Sequence, residues 1–267
     1  MIATTERPVT EQPIAAGFRS GKPPMPREHG AWGILLIPFA TAVGISGVAD
    51  RRMALLLASV LCFYVARTSF LKQHAKWTFL LLAGSALCTA PLLIVWRLWW
   101  LAVFGAVAAA LAFRKTDRNV SMQLIAVAGL TLTAPAAWYA ATGNLDQHAW
   151  LLWGLNFLYF AGGVFYVKMH VAAAVRRKPL DLLSDRLALG APMLSYYTGM
   201  SAALVVLAAM HWIPWVVLLA CAPVVIRAVV GVCRLSPTLR IKRLGWTEVA
   251  YSLVFAVALI VTLHGRF

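Results

Sequence analysis

Charge is scarce in this chain of 267 residues: 12% of positions are charged and only nine are acidic. A soluble domain carries about a quarter charged residues, so a water-soluble globule is excluded. Cysteine is limited to Cys62, Cys88, Cys221 and Cys233, with no C-x-x-C spacing. A disulfide scaffold is therefore excluded, and the four read as reduced packing residues in or beside apolar runs. There is no P-loop, no G-x-G-x-x-G, no H-E-x-x-H and no G-x-S-x-G, so the nucleotide, zinc-protease and hydrolase chemistries those motifs carry have no support. No two His are placed within two spans like a haem b site. What is abundant is apolar bulk. Hydrophobic residues make up 61%, including eleven Trp, twelve Phe and seven Tyr. Disorder and fibrous repeats are excluded with it, and a polytopic membrane protein remains.

Residues 1–26 stand apart. They hold Pro8, Pro13, Pro23, Pro24 and Pro26, charges of both signs and no long apolar run. Such a segment cannot bury a core and reads as a flexible cytoplasmic tail. No apolar stretch follows a short basic start, so it is not a signal peptide. Residues 27–267 read as one transmembrane domain. Nine apolar runs recur, at roughly 31–49, 53–71, 77–95, 98–113, 121–141, 149–167, 188–210, 212–231 and 247–264. About 20 helical residues cross a hydrocarbon core of ~30 Å. The runs are continuous rather than alternating, and in lipid only helices or closed barrels satisfy the backbone. The expected fold is an all-α bundle of nine helices, the fourth one short. Pro38, Pro91, Pro135, Pro192, Pro214 and Pro223 fall in six of the runs, as tolerated kinks or as the walls of a cavity.

With the N-terminus inside, twenty of the 24 Lys and Arg fall on cytoplasmic segments and four (Arg51, Arg52, Arg97, Arg266) outside. That asymmetry fits the positive-inside rule. It also accounts for the net charge of +15: the bases form a rim facing anionic lipid and metabolites rather than a nucleic-acid surface. The expected location is the bacterial inner membrane, multi-pass, with the C-terminus outside. Residues 63–76 (FYVARTSFLKQHAK) and 165–178 (FYVKMHVAAAVRRK) share an opening Phe-Tyr-Val and a closing Lys. Both end an even-numbered span, so they read either as coincidence or as a parallel internal repeat.

Chemistry-bearing residues gather on the inner face. Glu28 and His29 stand before the first span, where they serve as interfacial anchors or bind a cation or move a proton. After the sixth span come His170, Arg176, Arg177, Lys178, Asp181 and Asp185. The two Asp, at i and i+4, share a helical face. They can hold Mg²⁺ beside a diphosphate that Arg176 and Arg177 clamp, or simply pair with the bases. Glu248, at the inner end of the last span, is either paired to Arg243 or functional. The spans carry almost no mid-helix charge, since Arg67 and Arg227 are expected near inner ends. The outer face offers little material for an anion site.

Pro26-Arg27-Glu28-His29-Gly30-Ala31-Trp32 resembles the opening signature of the YwiC-like family of bacterial membrane proteins. Gly163–Lys168 and Leu239–Glu248 resemble later stretches of the same family. The resemblance implies a membrane protein without implying a reaction. A more distant likeness is to the UbiA-type intramembrane prenyltransferases, which have nine helices, an inner N-terminus and two aspartate-rich Mg²⁺-diphosphate motifs after helices 2 and 6. That likeness implies a UbiA-like arrangement. Here Asp181 and Asp185 stand after the sixth span, but the segment after the second has Arg67, Lys72, His74 and Lys76 and no carboxylate. The departure leaves two readings: Glu28 or Glu248 replaces the missing acids, or the basic segment binds an anion without metal.

The leading expectation is binding or modification of an amphipathic, isoprenoid-type lipid with an anionic head at the cytoplasmic face. Arg67, Lys72, Lys76, Lys168, Arg176, Arg177, Arg240 and Arg243 would meet the head. Glu28, His29, Asp181, Asp185 and Glu248 would supply metal or proton chemistry, with Mg²⁺ the candidate cofactor. This expectation includes a cavity lined by Glu28, Glu248 and the segment after the sixth span. The rivals are a small-anion transporter and a non-catalytic assembly factor. Membrane lipid is the expected partner.

Overall fold

The computed structural model describes residues 25, 29–112, 119–176, 182–236 and 241–266. Apart from Met25, the expected tail lies outside the described residues. Ten helices follow one another: α1 (His29–Ser46), α2 (Arg51–Leu71), α3 (Ala75–Ile94), α4 (Trp100–Ala112), α5 (Val120–Thr131), α6 (Thr133–Thr142), α7 (Gln147–Val175), α8 (Leu183–Ala209), α9 (Val217–Cys233) and α10 (Ile241–Leu263). No strand occurs among the described residues. α5 and α6 are two parts of one rod, Val120–Thr142, so the rods among the described residues number nine, as the apolar runs predict. Six are long and apolar enough to cross a membrane, and α1, α4 and α9 are shorter apolar helices.

Pro135 explains the broken rod. It has no N–H to give the Thr131 carbonyl, and its ring crowds that carbonyl. The chain tightens there, with Leu132 N–H donating to Gly129 O at 3.3 Å. Thr133 Oγ1 then donates to Leu35 O on α1 at 2.9 Å, so the break is tied to a neighbouring helix. Pro38, Pro91, Pro192 and Pro223 lie inside their helices without ending them, whereas Pro214 precedes α9.

α1 runs through the middle and packs on α10, α6, α5 and α7. A Cβ at Gly44 would come within 2.6 Å of Ile260 Cδ1, so glycine lets α1 and α10 approach closely. Asn156 on α7 donates to Thr41 Oγ1 on α1 at 3.2 Å, and both side chains are fully buried. On one side of α1, the α2–α3 hairpin, α4, α5 and α6 form one half of the bundle. On the other, α7, α8, α9 and α10 pack in sequence order. α3 buries only Leu92. Its Phe79 and Leu87 are 74% and 75% exposed, which on a spanning helix means facing hydrocarbon. Cys62 and Cys88 are half-buried and Cys221 is buried, all as free thiols. Cys233 departs from the expected packing role and is exposed at the end of α9.

The turns at the end where α7 begins are capped by acids. Asp146 accepts from the backbone N–H of His148 and Ala149 at 3.0 and 3.1 Å, and from Trp138 Nε1 at 2.9 Å. Partial burial alone would raise its carboxyl. The Ala149 N–H, the His148 ring and the Trp138 indole outweigh that and hold it below the ordinary 3.8. A lowered carboxyl adds stability above its unfolded value, and the gain is lost as pH falls through the folded value. Asp146→Ala should therefore destabilise the protein by about 1 kcal/mol at neutral pH, read as a lower Tm in detergent. The gap to wild type should close as pH drops well below 3.8. A gap that persists in strong acid would refute the cap.

Candidate functional site

Between α1, α2, α3, α4, α5 and α6 lies a cavity of about 250 Å³. Its walls are chiefly apolar, with Leu56, Val60, Phe63 and Phe104 among them. Four short hydroxyl side chains interrupt them, and three are tied together across the α2–α3 hairpin. Ser59 Oγ lies 2.9 Å from Ser85 Oγ and 2.6 Å from Thr89 Oγ1. Ser85 Oγ donates to Ser59 O, and Thr89 Oγ1 to Ser85 O. Gly105 and Ala108 of α4 also line the space, and a Cβ built at Gly105 meets nothing within 4 Å. Small residues on α4 suggest close helix packing in the sequence; at Gly105 the structure leaves open volume instead. Arg67, in the last turns of α2, and Tyr64, one turn earlier, complete the lining. Tyr64 meets Trp32 of α1 edge-on at 5.0 Å. The cavity is thus greasy along most of its length, with a half-buried guanidinium towards one end.

A second cluster occupies the other half. Arg227 on α9 and Glu248 on α10 face each other inside the bundle, 8% and 23% exposed. Arg227 Nη1 lies 2.8 Å from Glu248 Oε1, and Nη2 donates to Oε2 at 3.2 Å. The guanidinium stacks on Tyr166 of α7 at 4.2 Å and on Tyr251 of α10 at 4.7 Å. α7 makes room with two glycines. A Cβ at Gly162 would strike the Tyr197 hydroxyl at 2.7 Å, and one at Gly163 would sit 3.6 Å from Glu248 Oε2. The buried Tyr159 and Tyr197 hydroxyls make no aligned hydrogen bond to a described residue, although Tyr197 lies beside Arg227. Arg227 is thus buried inside the bundle rather than on a rim, and Glu248 is paired to it. The side chain of Arg243 lies outside the described residues.

The other predicted residues are spread out. Lys72 and Lys76 are exposed on the α2–α3 turn. Lys168 is half-buried on α7, and Arg176 Nη2 meets Asp185 Oδ1 at 3.4 Å across the α7–α8 gap. His170 Nδ1 contacts Tyr166 O at 3.0 Å. Glu28, Asp181, Arg177, Lys178 and Arg240 lie outside the described residues, as does the side chain of His29. Glu248 does not line the α1–α6 cavity, whose walls include no residue of α7, α8, α9 or α10. Among the described residues no three His, Cys, Asp or Glu gather into a metal site. Sequence reasoning missed Arg227, Tyr159, Tyr197 and Tyr251. A signal for Arg227 was present: α9 has one charged residue and α10 one acid, and lone opposite charges in consecutive spans are a pairing signal.

Removing one member of this buried pair should be costly, because the other is left charged in a low-dielectric interior. Glu248→Ala should lose about 3–5 kcal/mol, read by thermal unfolding in detergent. The double variant Arg227→Met with Glu248→Leu should recover most of it. Two single losses that simply add in the double variant would disprove the coupling.

Comparison with curated proteins and with solved structures finds no match. A match to a family does emerge, and it covers the cavity half of the bundle. Residues 25–138, from the segment before α1 into α6, match the family described as YwiC-like protein, so the resemblance read from Pro26–Trp32 is borne out and the chain is YwiC-like over that stretch.

Proposed function

We propose that this multi-pass membrane protein binds an amphipathic lipid with an anionic head. The tail occupies the α1–α6 cavity and the head meets Arg67 on the cytoplasmic side of the inner membrane. The observation that carries this reading is the pairing of apolar walls with Arg67 in one cavity. A guanidinium offers a fixed fork to phosphate or carboxylate oxygens. An apolar slot between membrane helices favours a hydrocarbon tail by contact and shape rather than by charge. The inside location follows from the charge asymmetry of the connecting segments. A UbiA-like arrangement and an isoprenoid tail are the narrower form of the reading. In a catalytic version, Glu28, His29, Asp181 and Asp185 supply metal or proton chemistry to the head, and electrostatic stabilisation in a dry site does most of the work, while Glu248 stays with Arg227 in the other half.

A second reading, passage of a small anion, is favoured by one observation: the Arg227–Glu248 pair is buried about two turns from the nearer ends of its helices. Ionisable residues at such depth commonly mark transport paths.

Mass spectrometry of lipids co-purified with the full chain tests the first reading. Arg67→Gln should reduce bound anionic lipid about tenfold, the effect of losing roughly 1.4 kcal/mol. Gly105→Leu should fill the cavity and displace the tail while Tm stays within a few degrees of wild type. Undiminished lipid in both folded variants would end the proposal. For the second reading, phosphate flux into liposomes carrying the protein should vanish in Glu248→Gln and persist in Arg67→Gln.

A further inference from the structure

The end of the bundle remote from Arg67 holds a second cavity, of about 460 Å³. His264 Nδ1 lies 3.0 Å from Gly44 O, which ties the end of α10 to the end of α1, beside the start of α2. Arg67 sits near the other end of α2, about 24 Å away at 1.5 Å per residue. Three imidazole or guanidinium side chains from distant parts of the chain line this second cavity. His148 comes from the first turn of α7, His211 from the α8–α9 connection, and Arg266 from beyond α10. Trp212 and Trp215 line it too, 58% and 55% exposed, at the level where aromatic belts meet headgroups.

The charges there are uneven. The nearby carboxylate, Asp146, lies 3.4 Å from His148 Nδ1, and its oxygens already accept two backbone N–H groups and the Trp138 indole. Among the described residues neither His211 nor Arg266 forms an ion pair. His211 is also held in the left-handed region, at φ 60°, where glycine or asparagine is the usual occupant of a helix-ending turn. The outer face, which in the sequence offers scattered and sparse charge, is thus drawn into one basic, aromatic-flanked pocket.

We propose that this second cavity binds a phosphate-bearing anion. Arg266 and His211 donate to its oxygens, His148 assists, and Trp212 and Trp215 flank the group at the membrane surface. The guanidinium fork and imidazole N–H groups match several oxygens of a phosphate together. The proposal is independent of the α1–α6 cavity and stands on different residues.

The source is either the headgroup of a phospholipid or free phosphate, and two arms separate them. In the first, full-length protein is released from nanodiscs of phosphatidylcholine and phosphatidylglycerol, and retained phosphatidylglycerol is counted by native mass spectrometry. In the second, inorganic phosphate is titrated in neutral detergent and the shift in Tm is read. Arg266→Gln alters an exposed residue beyond α10, and His211→Asn keeps a residue that tolerates the left-handed turn. Each should reduce retention or the phosphate shift several-fold, and together at least tenfold. Loss in the first arm assigns a lipid, and loss in the second assigns free phosphate; either supports the site. Arg234→Gln, which removes an exposed charge that lines neither cavity, should leave both readouts unchanged. Equal retention and equal phosphate response in wild type and in Arg266→Gln would overturn the proposal, as would equal losses in Arg234→Gln. Should the double variant fail to fold, Arg266→Gln by itself still decides.

Discussion

Hydrocarbon offers no partner for a polar group, so a buried donor or acceptor is costly unless the protein itself satisfies it. That constraint shapes this chain at each level. It makes the apolar runs helical, since a helix closes its own backbone bonds. It leaves the turn freed by Pro135 tied to α1, where Thr133 reaches the Leu35 carbonyl. It joins Asn156 to Thr41 between α7 and α1, and it brings Arg227 and Glu248 together from adjacent spans. Between membrane helices there is no hydrophobic driving force to supply specificity. Packing of small residues and these few polar contacts decide which rods touch.

The two halves of the bundle use this constraint differently. In the α7–α10 half, glycine at 162 and 163 brings polar groups inward, and aromatic faces cover the Arg227 charge. The result is a filled, polar junction. In the α1–α6 half, small residues on α4 and the self-satisfied hydroxyls of Ser59, Ser85 and Thr89 leave open volume, with polarity confined to a few places. A cavity of that kind suits a guest that is mostly hydrocarbon. A tight ion pair suits a structural clasp or a charge-handling path. The family match falls on the half with the cavity.

Much of the architecture was legible before any coordinates. Nine runs of about 20 apolar residues predict nine rods because span length is set by bilayer thickness, and the described residues form nine rods. The short fourth run is likewise α4, at 13 residues. The site was less legible. Glu248 stands out in the sequence as a lone acid, either paired to Arg243 or functional. The guanidinium that meets it belongs to Arg227, 21 positions earlier on another helix. Arg67 was grouped with Lys72 and Lys76 by proximity in sequence. The end of α2 separates them, with Arg67 on the cavity, Lys72 exposed at the cap and Lys76 exposed in the first turn of α3.

Composition, the length of the apolar runs and the distribution of Lys and Arg determine by themselves that this is a helical, multi-pass membrane protein, because those properties follow from solvent transfer and need no neighbours. Which residues share a site was decided only by tertiary structure. A helix presents a different face every 100°, and a lone Arg or His in an apolar run has no preferred partner until rods pack. His148, His211 and Arg266 lie far apart in the chain and line one cavity in space, because the ends of α7, α8 and α10 are brought to the same end of the bundle.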